Sequence, residues 1–115
     1  MDSKISFGNL GENYAARILQ ENGYQIIDRN FRTKFGEIDI IAVDKDTLVF
    51  IEVKTRWGKK YGSPEEAVTP RKITKIKRVA EIFINKNKNL PKKLRIDVVA
   101  IEVKNENQIS AKIIS

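Results

Sequence analysis

Phe35-Gly36-Glu37-Ile38-Asp39-Ile40-Ile41 and Leu48-Val49-Phe50-Ile51-Glu52-Val53-Lys54 are two apolar runs, each broken by charge, flanking the polar segment Asp44-Lys45-Asp46-Thr47. Short runs rich in Ile, Val and Phe around a tight polar segment predict a β-hairpin. With the turn centred between Lys45 and Asp46, Asp39 falls opposite Glu52 and Glu37 opposite Lys54. Side chains alternate along a strand, so all four are expected on one face. Two facing carboxylates repel by roughly 0.2–1 kcal/mol on an ordinary sheet surface, and by more when desolvated. The pair adds nothing to stability by itself. A bound cation would reverse the sign of the interaction.

The rest of the composition narrows the chemistry. The 115 residues suffice for one domain around a single core, and a hydrophobic share of 41% is that of a globular chain. No apolar run approaches the ~18–20 residues of a transmembrane helix. The start, Met1-Asp2-Ser3-Lys4-Ile5, lacks the apolar core of a signal peptide, so a cytoplasmic location is expected. Cysteine and histidine are both absent. That excludes disulfides, thiol nucleophiles, the usual zinc sites and the commonest general base. Catalysis would fall to Asp, Glu, Lys, Arg, hydroxyls or a hard cation held by oxygen. A net charge of +7 and a pI near 9.7 point to a polyanionic partner, most simply nucleic acid; a lysine-rich composition also serves solubility.

Outward from the hairpin, Ser6 to about Asn22 has helical periodicity, with Ser6 as N-cap and Asn22-Gly23 as the stop. One stripe carries Phe7, Leu10, Gly11, Tyr14 and Ile18; a second carries Glu12, Ala15, Ala16 and Leu19. Glu12 is the only charge in the second stripe, and the plain reading makes it a boundary residue whose head reaches water. Tyr24 to Phe31 reads as a strand, and Arg32-Thr33-Lys34-Phe35-Gly36 as a basic turn into the strand Glu37 to Val43. Leu48 to Thr55 is apolar on both faces apart from Glu52 and Lys54, which marks a central strand.

The loop Arg56-Trp57-Gly58-Lys59-Lys60-Tyr61-Gly62 mixes bases with aromatics. It suits a phosphate backbone with unstacked bases, and equally a surface loop with its rings folded onto the domain. Ser63-Pro64-Glu65-Glu66 has capping-box form, predicting a short helical turn. Thr69-Pro70 then opens a long helix to about Asn87 with a core stripe of Ile73, Ile76, Ala80, Phe83 and Ile84. Its other face carries Arg71, Lys75 and Arg78, either solvated or holding phosphates, with Ile82 among them as a candidate subunit contact. Leu94 to Val103 is a strand reached by a crossover, hence parallel and right-handed. Ile109 to Ile114 forms a last edge strand. The order is α-β-β-β-α-β-β, an α/β domain spanning residues 1–115 with helices flanking a mixed sheet.

Mg²⁺ takes oxygen ligands, often one or two carboxylates plus waters and a substrate phosphate. Held by Asp39 and Glu52, it would polarise a phosphodiester and acidify a bound water. Lys54, two residues beyond Glu52, would orient or help deprotonate that water, and Glu12 would add a ligand directly or through water. Glu37 is expected to pair with Lys54 or an arginine. Asp97 is expected to pair with Arg95 or a helix end and stays outside the set.

These residues carry a resemblance. Glu37-Ile38-Asp39 followed by Glu52-Val53-Lys54 looks like the PD-(D/E)xK nuclease signature, with Ile38 in place of the proline, and Glu12 matches the helix-borne glutamate of its junction-resolvase branch. The ordered blocks GENYAARIL, GYQIIDRNFR, GEIDIIA, LVFIEVKTR, AVTPRK and RIDVVAI resemble the YraN-like family of small bacterial proteins from Gly11 to about Ile101. The resemblance implies a restriction-endonuclease-like fold related to archaeal Holliday-junction resolvases, whose members are homodimeric, Mg²⁺-dependent DNA nucleases, with Mn²⁺ as a substitute. It gives Asp39 and Glu52 the role of metal ligands, Lys54 that of catalytic lysine and Glu12 that of auxiliary acid. Branched or structured DNA is then the expected partner, its backbone held by Arg32, Lys34, Arg56, Trp57, Lys59, Lys60, Arg71, Lys72, Lys75 and Arg78. The alternative is a nucleic-acid-binding or assembly module that keeps the fold without cleaving.

Overall fold

In a computed structural model, the residues described are 3–57, 69–105 and 108–114, with the side chains of 3–9 and 57 set aside. The elements follow the order α1 (Ser3–Glu21), β1 (Gln25–Thr33), β2 (Gly36–Asp44), β3 (Thr47–Trp57), α2 (Pro70–Lys86), β4 (Lys93–Asn105) and β5 (Gln108–Ile114). The five strands form one sheet in sequential order. β3 and β4 are parallel and every other neighbouring pair is antiparallel. The α/β architecture and the element order agree with the sequence reading. The Ser63-Pro64-Glu65-Glu66 turn lies outside the described residues.

Local chemistry explains the boundaries. α1 ends in a paired closure: Gly23 N–H donates to Gln20 O at 3.1 Å and Tyr24 N–H to Leu19 O at 3.0 Å. Gly23 sits at φ 89°, a conformation that favours glycine. The helix begins at Ser3, so Ser6 lies inside it and is not its cap. The two stripes differ in burial. Leu10 is 65% exposed, whereas Ala15, Ala16 and Leu19 are buried. α1 thus presents its small-residue stripe, which lets it lie close on the sheet; a Cβ on Gly11 would come within 2.6 Å of Thr55 Oγ1. α2 starts as its sequence requires, with Thr69 Oγ1 accepting from Lys72 N–H at 3.2 Å and Pro70 in the first turn. Its buried stripe is Ile76, Val79, Ala80 and Phe83. Among the described residues, no helix is long and apolar enough to cross a membrane.

The sheet separates two cores. On the α1 side, Ala15, Leu19 and Tyr24 meet Ile40, Ala42, Val49, Ile51, Val99 and Ile101. On the α2 side, Ile76, Val79 and Phe83 meet Ile38, Ile41, Leu48 and Phe50. Among the described residues, the α1-side core holds one wholly buried charge, Asp97, at 0% exposure. Arg95 pairs with it at 2.8 Å, Tyr24 Oη donates to it at 2.8 Å, and Arg95 also reaches Asp44 at 2.8 Å. Burial and the neighbouring Asp97 push the Tyr24 hydroxyl up to about 12. Asp97 therefore has the structural partner expected of it, which satisfies a charge that would be costly if buried alone.

Candidate metal centre and nucleic-acid face

The β2–β3 hairpin has the register read from the sequence: Asp44 pairs with Thr47, Val43 with Leu48 and so on to Ile40 with Ile51. Lys45, at φ 57°, makes the turn. The ladder then stops at the charged residues. Instead of continuing the backbone pairing, Asp39 Oδ2 accepts the Val53 N–H at 2.8 Å. A carboxylate takes the place of a main-chain carbonyl, and the two strands part beyond it. The expected Glu37–Lys54 pairing is accordingly not formed. Glu37 meets Arg32 at 3.0 Å, across from it on β1, which is the arginine alternative.

A second irregularity sits beside the first. Ile38 belongs to the α2-side core while Ile40, two residues on, belongs to the α1-side core. Regular alternation would put both on one face. Their partners Phe31 and Arg29 keep an unshifted register, and Asn30 between them stands at φ 55°. Both strands change face together at Asn30 and Asp39.

The result is a cleft of about 280 Å³ lined by Glu37, Asp39, Glu52, Lys72, Lys75 and the flank of α2. Asp39 and Glu52 thus share one cleft. Burial pushes the Asp39 carboxyl up to about 6; the Val53 N–H opposes this, and the charges of Glu52, Glu37 and Glu12 add to it. Glu52 is paired with Lys72 from α2. Lys54, half-buried on β3, makes no hydrogen bond or ion pair among the described residues. Glu12 approaches from α1, where Arg29 at 2.8 Å and Asn30 at 3.0 Å hold one carboxylate oxygen. Its head is bound to β1 and does not simply reach water. Among the described residues, no group of three or more acids is gathered to hold a metal. Asp39 and Glu52 form a two-carboxylate site, within what Mg²⁺ takes when waters and phosphate complete its shell. Glu12 stands apart, its charge still felt by Asp39.

The predicted phosphate-binding residues divide. Lys34, Arg71, Lys75 and Arg78 are exposed, on the β1–β2 turn and on α2. Arg32 is exposed but paired with Glu37. Lys72 is turned to Glu52. Arg56 is half-buried on β3, in register with Glu102 of β4. The Trp57 side chain, Lys59 and Lys60 lie outside the described residues.

A profile of Uncharacterised protein family UPF0102 matches residues 11–101. The chain belongs to that family. UPF0102 is the YraN-like family that the sequence blocks resemble. A UPF0102 protein of Caldicellulosiruptor saccharolyticus is 45% identical over 107 residues, covering 93% of this chain and 91% of the relative. One from Syntrophomonas wolfei is 45% identical over 96 residues, 84% of each chain. One from Clostridium botulinum strain Loch Maree is 57% identical over 79 residues, 69% of this chain and 64% of the relative. None of these names states an activity. This UPF0102 chain also carries residues near the site that pattern reading passed over. Arg29 and Asn30 fix Glu12, Asn30 from the left-handed position at which β1 changes face. Phe35 stands at the β1–β2 tip close to two cations; its position in a basic turn was the available signal.

Proposed function

We infer that this protein is a divalent-metal-dependent DNA endonuclease acting on branched or structured DNA. The observation that carries the reading is the cleft shared by Asp39 and Glu52, in which a desolvated carboxylate lies among other acids beside Lys72 and Lys75. Mg²⁺ or Mn²⁺ would be held by Asp39 and Glu52, and when bound supplies Lewis-acid polarisation of a phosphodiester and a more acidic water. Val53 N–H fixes the Asp39 carboxylate in place. Lys54, free of competing partners among the described residues, orients the attacking water and offsets the negative charge that develops as it loses its proton. Glu12 adds negative charge that favours cation uptake. Lys75, Arg71 and Arg78 bind backbone phosphates beside the cleft.

One observation favours a second reading, a DNA-binding module without cleavage. Lys72 already neutralises Glu52, as expected of a site stabilised without metal. Cleavage of a four-way junction and of linear duplex, each with Mg²⁺ or Mn²⁺, separates the two. Metal-dependent cleavage lost in both Asp39→Ala and Glu52→Ala is the expected outcome. Salt-sensitive binding without cleavage, unaffected by either variant across a metal titration, would establish the module instead.

A further inference from the structure

Phe35 is held rigidly where a large apolar side chain has little to gain. Thr33 pairs with Gly36 at the end of the β1–β2 ladder, leaving Lys34-Phe35 as the tip. The Thr33 hydroxyl accepts from Phe35 N–H at 3.0 Å and donates to Gly36 O at 3.1 Å, locking that tip. Gly36 at φ 142° lies against Val79 of α2, where an added Cβ would stand 3.6 Å from Cγ2. The tip is therefore docked on the helix and does not swing freely. Yet the residue remains 37% exposed.

A single exposed apolar residue is ordinary on a protein surface. The surroundings of Phe35 are not. The Arg78 guanidinium lies 4.4 Å from its ring centroid and the Lys34 ammonium 5.2 Å. The next residues along β2, Gly36 to Asp39, line the acidic cleft. An aromatic face set among cations is the combination that binds unstacked bases while the charges hold adjoining phosphates. The four residue steps from Phe35 to Asp39 span at most about 13 Å, roughly four base steps of stacked duplex.

We propose that Phe35 is the stacking platform on which this protein seats an unpaired base, with Lys34 and Arg78 holding the flanking phosphates, a few nucleotides from the acidic cleft. This rests on the nuclease reading for its choice of DNA, and it gives that reading its structural selectivity: Phe35 distinguishes a displaced base from a fully paired duplex, a task the acids and lysines do not perform.

The test is binding of the full chain, in EDTA, to a duplex with a three-nucleotide bulge and to the same duplex fully paired. 2-Aminopurine in the bulge reports stacking. The wild type should prefer the bulged duplex by about ten-fold and change the 2-aminopurine emission. Phe35→Ala should lose both effects while binding paired duplex as before, and Phe35→Trp should keep them. Discrimination retained by Phe35→Ala, or equal binding of both duplexes by the wild type, overturns the stacking role and leaves the nuclease reading intact. Failure of the wild type to bind either duplex in EDTA overturns the stacking role, and failure that persists when Ca²⁺ replaces the EDTA overturns both.

Discussion

Asp39 is where the sequence pattern and the physical cost meet. Its carboxyl is pushed up to about 6 from a usual 3.8, chiefly by burial. The folded protein therefore binds a proton that the unfolded chain releases, over the window from about pH 4 to 6. Stability must fall as pH rises through that window, and above it the ionised carboxylate costs at most about 3 kcal/mol. Asp39→Asn removes the charge yet keeps an oxygen for the Val53 N–H. Without metal, the variant should melt several degrees above the wild type at pH 8 and close to it at pH 4. Mg²⁺ should raise the melting temperature of the wild type alone at pH 8. A variant that melts lower than the wild type at pH 8 would show that the carboxylate is stabilised by something other than added cation. At this scale the sequence was informative because facing acids on a central strand need a cause. It singled out Glu12 but not the partners that hold it, Arg29 and Asn30, the second of which has a left-handed backbone that no alternation rule anticipates.

Elements follow the same division. The β2–β3 register was legible because apolar residues on both sides of a tight polar turn admit few pairings. Its early end was not, since a side chain standing in for a carbonyl leaves no trace in periodicity. The core side of α1 was ambiguous in sequence, because Leu10 and Leu19 each belong to a plausible stripe; the buried face takes Ala15, Ala16 and Leu19 from one and Gly11 from the other. That packing makes a sharp prediction. Gly11→Ala would bring Cβ to 2.6 Å from Thr55 Oγ1, and a β-branched side chain on a strand has little rotamer freedom to yield. The substitution should destabilise by about 1–3 kcal/mol in denaturant unfolding. Adding Thr55→Ala removes the clashing hydroxyl and should restore most of the loss. Equal destabilisation in the single and double variants would mean that α1 does not rest on Thr55.

For the molecule as a whole, a net charge of +7 coexists with an acidic cleft. Lys34, Arg71, Lys75 and Arg78 provide exposed cations around it. If each neutralises one phosphate, the logarithm of DNA affinity should fall against the logarithm of salt with a slope of about −3 to −4. Replacing Arg71, Lys75 and Arg78 together by Ala should remove most of that slope, as fluorescence anisotropy would show; an unchanged slope would move the binding face elsewhere. The topology has a temporal consequence too. Asp39 and Glu52 lie on one hairpin, whereas the β3–β4 pairing joins Thr47 to Lys93 across the whole α2 crossover, and such distant closures form slowly. During synthesis the amino-terminal elements emerge first. If the hairpin closes on the nascent chain, the two acids meet before Lys72 has left the ribosome. Until α2 docks, only ions from solution oppose their repulsion.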